Sequence, residues 1–167
     1  MIVCQTPRLV LRELTSGDAA FIVRLLNEPS FIENIGDRKV RTEADAVRYL
    51  AEGPLASYQR HGHGLWLVEQ GGTPIGICGL LKRDALADVD VGYAFVPESW
   101  SRGYASEAVL ATLDFARKRG LPRVVAIVSP GNTASIRLLT RLRFTAAGRM
   151  RLSPDAGEVE VFQLPLP

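Results

Sequence analysis

Small residues stand at the start of a predicted helix, where an anion could reach the backbone. Gly103 and Ala105 lie two residues apart, and Arg102 adds a cation beside them. A helix N-terminus offers unpaired N–H groups and a partial positive charge, so several converging N–H groups can hold a phosphate that no side chain obstructs. The spacing matches neither GxxxxGK[ST] nor GxGxxG. It is compatible with phosphate binding and equally with an ordinary loop-to-helix junction.

Carboxylates on two predicted strands are the candidates for proton transfer. Asp88 and Asp90 alternate with valines, so they share the face of the strand opposite those valines, which could be a solvent face. Glu158 and Glu160 stand on the last predicted strand. Asn132 starts a short helix and is a plausible N-cap, and Ser135 follows one turn along that helix.

The histidines and cysteines give little sign of chemistry. His61 and His63 have no acidic or Cys partner nearby, so the sequence predicts a flexible polar turn and no metal site. Cys4 and Cys78 lie in apolar surroundings without CxxC spacing. Their placement predicts buried thiols in a reducing cytoplasm.

Composition limits the class of protein. The 167 residues are 47% hydrophobic, which fits one domain with a sizeable core. The 20 Lys and Arg nearly balance the 18 Asp and Glu, so we expect neither a nucleic-acid partner nor a membrane surface. The sequence shows neither a signal peptide nor an apolar run long enough to cross a bilayer, which predicts a soluble, cytoplasmic protein.

The elements that must position these residues follow from periodicity. The helix at residues 103–118 ends at Gly120 and lies between the strands VDVGYAFV and RVVAIVS. Upstream we predict a strand at residues 7–14 and a helix, AAFIVRLLN, with Asp18 as N-cap and Pro29 as its end.

Further elements complete the predicted order. Thr42 to Asp45 has capping-box spacing, and the helix that it starts is expected to end at Gly53-Pro54. LWLVEQ and IGICGLL form a hairpin around GGTP, and two late strands lie near FTAAGRM and EVEVFQL. The order β-α-α-β-β-β-α-β-α-β-β predicts an α/β fold, a single domain over residues 1–167 with a mixed sheet.

The sequence resembles the GNAT N-acetyltransferases, and in particular the branch of the ribosomal-protein N-terminal acetyltransferases. That branch has the pattern G-Y-x-x-x-P-x-x-W-x-x-G-Y-A-x-E-A. The residues matching it here are Gly92-Tyr93, Pro97, Trp100, Gly103-Tyr104-Ala105 and Glu107-Ala108. The opening T-x-R-L-x-L-R and the later N-x-x-S segment also resemble the branch, although Arg143 stands where a Gly is usual.

The resemblance implies a fold with splayed central strands and a site for acetyl-CoA. The pantetheine arm would pair with the backbone of Phe95 and Val96, and the amide of Asn132 would contact CoA. The residues implied at the phosphates are Arg102, Gly103, Tyr104, Ala105 and Ser106.

Catalytic roles follow from the same resemblance. Ser135 is the candidate acid for the departing thiolate, with exposure on a short helix as the alternative, and Tyr104 or water would replace it. Glu160 occupies a position where related enzymes often carry an acid, and Asp90 or ordered water are the other candidates for the base.

The implied reaction is acetyl transfer from acetyl-CoA to a primary amine, either a protein N-terminus or a small molecule. The protein would act as a monomer or homodimer. One alternative is a non-catalytic module that senses acyl-CoA. A nucleotide-binding enzyme is disfavoured because the Lys-Ser/Thr pair and a ribose-binding acid are missing.

Overall fold

Eight strands form one mixed sheet in the computed structural model, which describes all 167 residues. In chain order, β1 to β8 are Ile2–Gln5, Leu9–Glu13, Leu65–Gln70, Thr73–Leu81, Asp90–Phe95, Arg123–Val128, Thr145–Arg151 and Glu158–Pro165. Their order in the sheet is β1-β2-β3-β4-β5-β6-β8-β7. Only β5 and β6 run parallel to each other; the other neighbours are antiparallel. The predicted α/β fold with a mixed sheet is confirmed.

Six α-helices accompany the sheet. In chain order, α1 to α6 are Ala19–Leu26, Pro29–Asn34, Glu43–Leu50, Ala56–His61, Tyr104–Lys118 and Thr133–Arg141. None of them combines the length and the apolar character needed to cross a bilayer. One cluster of 34 buried apolar residues runs through strands and helices alike, which supports the inference of a single domain over residues 1–167.

The two central strands separate soon after they meet, as predicted. The ladder between β5 and β6 has one paired position, Asp90 with Val125, and the adjacent Val125 N–H donates to Val89 O. Beyond it the strands diverge, while β4 still pairs with β5 along six positions and β8 with β6 along six. The sheet therefore contains a gap whose edges are unpaired backbone.

Of the two helix ends predicted at a proline, one is confirmed and one is wrong. The helix α1 ends at Leu26, before Pro29 as predicted, and Pro29 itself stands at the start of α2, where its missing N–H needs no acceptor. The helix α3 does not end at Gly53-Pro54. A π-helical turn, Ala51–Leu55, carries Pro54 and continues into α4, because this wider turn accommodates a residue that cannot donate.

The N-terminal region also differs from its prediction. Instead of one strand at residues 7–14, the chain forms a hairpin of β1 and β2, and Thr6 at its turn exchanges hydrogen bonds with Leu9. Asp18 precedes α1 but does not cap it with its side chain. That carboxylate instead accepts the Thr15 N–H and pairs with Arg12 at 2.8 Å, and this contact lowers the pKa of Asp18 against the opposing effect of burial. The predicted capping box of Thr42 and Asp45 is present.

Candidate active site

A cleft of about 270 Å³ opens at the gap between β5 and β6. Of its 22 lining residues, 14 are apolar, so the few polar side chains among them set the chemistry. Among the predicted site residues, the structure brings Asp90, Asn132 and Ser135 together here.

The predicted phosphate-binding segment has a row of free donors. The first helical bond of α5 runs from Glu107 N–H to Gly103 O, and no acceptor in the protein takes the N–H groups of residues 101–106. Gly103 has φ +80° and provides no side-chain cap, and Ser101 has φ +60°. Left-handed residues at these positions turn successive N–H groups into a concave cradle of the kind that binds anions. The cradle contains all five residues predicted for the phosphates.

Arg8 braces this segment and was not predicted as a site residue. It donates to Arg102 O at 2.8 Å and pairs with Glu107 at 2.8 Å, and its guanidinium lies 4.6 Å from the centre of the Tyr104 ring. A Cβ at Gly103 would lie 3.2 Å from Arg8 Nη2. The sequence held a signal, since Arg8 and Glu107 both belong to the matched patterns, but nothing in those patterns showed that the two side chains meet.

The end of β5 offers fewer free backbone groups than predicted. Val96 N–H donates to Ile75 O at 2.9 Å, and Val96 O accepts from Ser99, so both groups are engaged within the protein. Because successive residues of a strand point their backbone groups to opposite sides, those of Phe95 face the gap. Phe95 O accepts the Trp100 indole N–H at 2.8 Å. The Phe95 N–H is therefore the group left to pair with a ligand.

Ser135 meets a partner at the wall of the cleft that the sequence did not suggest. Its hydroxyl shares a hydrogen bond with the Tyr93 hydroxyl, and both residues line the cleft. Burial raises the pKa of Tyr93 to about 12, so this phenol stays protonated at neutral pH. Asn132 caps α6, because its side-chain oxygen accepts the Ser135 N–H at 3.3 Å. This bond leaves the amide nitrogen of Asn132 as the group that can meet a ligand.

The two candidate base residues have different surroundings. Asp90 is 1% exposed and lines the cleft, so its face of β5 is not a solvent face. Burial raises the pKa of Asp90, and Arg83, whose Nε lies 3.2 and 3.3 Å from the two carboxylate oxygens, offsets part of that rise. Glu160 pairs with Arg149 at 3.2 Å and is not among the residues that line the cleft.

The histidine segment is more ordered than predicted. Gly62, with φ +73°, ends α4, and His63 is buried with Nδ1 3.1 Å from Leu80 O. Burial lowers the pKa of His63, and its ring stacks on that of His61. The segment is therefore a packed helix end and not a flexible turn. No group of three or more His, Cys, Asp or Glu comes together as a possible metal site.

Comparison with known protein families and curated relatives gives a consistent result. The profile of the acetyltransferase (GNAT) domain matches residues 8–145. The uncharacterized N-acetyltransferase YoaA of Bacillus subtilis is 29% identical over 154 residues, which cover 89% of this chain and 86% of YoaA. The uncharacterized N-acetyltransferase p20 of Bacillus licheniformis is 28% identical over 151 residues, which cover 87% of this chain and 84% of p20.

Solved structures share the fold over nearly the whole chain. An acetyltransferase from Agrobacterium tumefaciens superposes with a TM-score of 0.80 at 25% identity, covering 96% of this chain and 92% of that one. RimL, a ribosomal L7/L12 alpha-N-protein acetyltransferase in complex with coenzyme A, superposes with a TM-score of 0.86 at 18% identity, covering 99% and 98%. At that identity the likeness to RimL concerns the fold.

Proposed function

Because this chain belongs to the GNAT acetyltransferase family, we propose that it transfers the acetyl group of acetyl-CoA to a primary amine by direct attack. The observation that carries the proposal is the cradle at residues 101–106, whose N–H groups have no acceptor in the protein. A pyrophosphate supplies the acceptors that such donors need. The cradle opens next to the gap in the sheet, where an extended arm can bind an unpaired strand edge.

The residues that would hold acetyl-CoA fit its parts. Residues 101–106 would bind the pyrophosphate, with Arg102 as a nearby cation. Arg8 holds this segment through its contacts with Arg102 O and Glu107. The Phe95 N–H would bind the pantetheine arm, and the Asn132 amide nitrogen would donate to the same ligand. When bound, acetyl-CoA supplies the thioester that acylates the amine.

Proton transfer sets the remaining requirements of the reaction. Transfer forms one C–N bond and breaks one C–S bond, so the amine must lose a proton and the leaving sulfur must gain one. Ser135 is our choice for the proton donor, because its hydroxyl lines the cleft and is held by Tyr93. Tyr93 orients that hydroxyl and can return a proton to it.

For the base we propose Asp90, directly or through one water. It lies in the cleft, and its raised pKa makes it a better proton acceptor than an exposed carboxylate. Glu160 lies outside the cleft and is paired with Arg149, so we give it no part in proton transfer.

The acceptor is a primary amine on a peptide or a small molecule. RimL is a ribosomal L7/L12 alpha-N-protein acetyltransferase, and a further structural neighbour, MccE, is a microcin C7 self-immunity acetyltransferase bound to acetyl-CoA and AMP, so the fold alone does not decide between a protein and a small-molecule acceptor. The state of assembly, monomer or homodimer, stays a prediction. A cytoplasmic location also stays a prediction, supported by Cys4 and Cys78, which are both free thiols.

Release of free thiol from acetyl-CoA, measured with a panel of primary amines, tests the proposal. We expect thiol release that depends on the amine, with an equal amount of acetylated amine detected by mass spectrometry. Binding of acetyl-CoA without amine-dependent release from any member of the panel would instead support the non-catalytic sensor.

A further inference from the structure

The charged residues that line the cleft indicate which charge the acceptor carries besides its amine. The cleft's only charged lining residues are Arg38, Arg83 and Asp90. Asp90 is already paired with Arg83, so the second arginine leaves the cleft with a positive charge that no protein group neutralises. A cationic acceptor with several amines would meet repulsion here, whereas an anionic group would be attracted.

Arg38 is free to bind that anion. It makes no ion pair within the protein, and the neighbouring Asp37 is paired with Arg41 at 2.6 Å. Arg83 uses its Nε for Asp90, and its terminal nitrogens make no hydrogen bond to the protein. Both side chains line the cleft, and each guanidinium presents N–H groups in a fork that suits a carboxylate.

Tyr49 adds a neutral donor to the lining that contains the two arginines. It lines the same cleft from α3, while Arg38 comes from the loop between α2 and α3 and Arg83 from the loop between β4 and β5. The Tyr49 hydroxyl makes no hydrogen bond within the protein. Burial raises the pKa of Tyr49, and the positive charges of Arg38 and Arg83 oppose this rise.

The surface beyond the cleft has the same sign of charge. A second cavity of about 250 Å³ shares Tyr49, Leu65 and Leu81 with the cleft. It is lined by Arg60 and Lys82 against a single carboxylate, Glu52. An acceptor that extends outward from the cleft therefore stays in a positive field.

We propose that the acceptor is a primary amine with a carboxylate close to it, and that Arg38, Tyr49 and Arg83 bind this carboxylate. This inference rests on the proposed acetyl transfer and narrows its substrate class. The amine then points toward Asp90 while the carboxylate lies on the arginine side of the cleft. The carboxylate can belong to a free amino acid or to an acidic side chain near the N-terminus of a peptide.

Matched acceptor pairs test the charge and distinguish the two sources. One pair is leucine and leucinamide; the other is a short C-terminally amidated peptide with Asp or Asn at its second position. In one of the two pairs, we expect the acceptor with the carboxylate to have a kcat/KM about tenfold or more above that of the matching amide. The leucine pair would identify a free amino acid as the acceptor, and the peptide pair an acidic side chain near a peptide N-terminus. In the leucine pair, the carboxylate raises the pKa of the amine, so less of the amine is deprotonated and reactive at neutral pH. This difference alone would make leucine the poorer acceptor, which is the opposite of the expected result.

Substitutions at Arg38 test whether this residue binds the carboxylate of the acceptor. Arg38→Gln should lower the carboxylate-to-amide ratio several-fold, to about the contribution of Arg83 and Tyr49, through the KM of the acceptor and with the KM of acetyl-CoA unchanged. Arg38→Lys should keep part of the preference, because it keeps the charge but not the fork. Arg117→Gln removes an exposed arginine on α5, outside the cleft, and should change nothing. Arg83 is unsuitable, since its loss would leave Asp90 buried without a partner.

Binding is measured separately, by calorimetric titration of each acceptor into the protein with CoA, which has no acetyl group to transfer. Tighter binding of the carboxylate member, reduced in Arg38→Gln, would support the inference even if acetyl transfer failed. Equal binding of acid and amide, preference for a diamine, or an equal loss for all acceptors in Arg38→Gln would overturn it.

Discussion

At the scale of single residues, the cleft separates two carboxylates that the sequence could not rank. Alternation along a strand shows which face a side chain occupies, but it does not show whether that face meets solvent, another element or a cleft. Asp90 lies in the cleft and Glu160 pairs with Arg149 outside it. Arg8 illustrates the same limit, because its contact with Glu107 joins residues 99 positions apart.

Asp90→Asn tests the assignment of the base. The substitution keeps the shape and removes the proton acceptor, so we expect kcat/KM to fall about a hundredfold, as typical of general-base catalysis. In the wild type, activity should fall as the pH drops through the raised pKa of Asp90, because protonated Asp90 cannot accept a proton. The pH profile of the variant should lack this limb.

Glu160→Gln is the matched control for that experiment, since it neutralises a carboxylate outside the cleft. It should leave kcat/KM within about twofold of the wild type, as substitutions away from the reacting groups usually have small effects. A large loss in Glu160→Gln together with a normal Asp90→Asn would reverse the assignment.

Ser135→Ala tests the acid. Its hydroxyl donates as charge develops on sulfur, so kcat and kcat/KM should fall together while the Kd of CoA stays nearly constant. Thiolates leave readily, and we therefore expect a loss of about ten- to a hundredfold. Tyr93→Phe, which removes only the partner hydroxyl, should lose less. Weaker CoA binding with unchanged kcat in Ser135→Ala would make Ser135 a binding residue instead.

At the scale of elements, periodicity located the sheet and the long helix, but local signals misplaced several boundaries. The strands β3 to β6, the strand β8 and the helix α5 follow from apolar patterning, because burial of one face is what selects these elements. Pro29 follows the end of α1 as predicted, whereas Pro54 does not stop a helix but lies in a π-helical turn between α3 and α4. A proline forbids one hydrogen bond, and the fold decides whether a neighbouring turn can do without it.

Gly103→Val tests the role of the helix start. The branched side chain would stand beside the cradle, and a non-glycine residue at φ +80° costs about 1–2 kcal/mol. We expect calorimetry to show a Kd for CoA raised about tenfold or more, with the protein still folded.

Gly120→Val separates strain from binding. Gly120 has φ +75° just past the other end of the same helix, with nothing within 4 Å of an added Cβ. Gly120→Val should lower the Tm by about as much as Gly103→Val does and leave the Kd of CoA unchanged. Equal CoA binding by Gly103→Val and Gly120→Val would mean that the phosphates bind elsewhere.

At the scale of the whole molecule, the site depends on one irregularity of the sheet. β5 and β6 pair at a single position, and the resulting gap lies next to the free N–H groups of residues 101–106. The residues alone predicted a mixed sheet, but the divergence of two strands has no local signature. The prediction that these strands diverge came from the family resemblance, because strand pairing is a property of the assembled sheet and not of either strand's pattern.

Thermal unfolding with and without acetyl-CoA tests the central claim, that the cradle and the gap form a preformed site for acetyl-CoA. A ligand that binds only the folded state at a hundred times its Kd stabilises it by about 2.7 kcal/mol, which raises the Tm by about 5–10 °C for a chain of this size. We predict this rise with acetyl-CoA, and none with acetate or NAD at the same concentration. An unchanged Tm at millimolar acetyl-CoA, or an equal rise with NAD, would contradict the account.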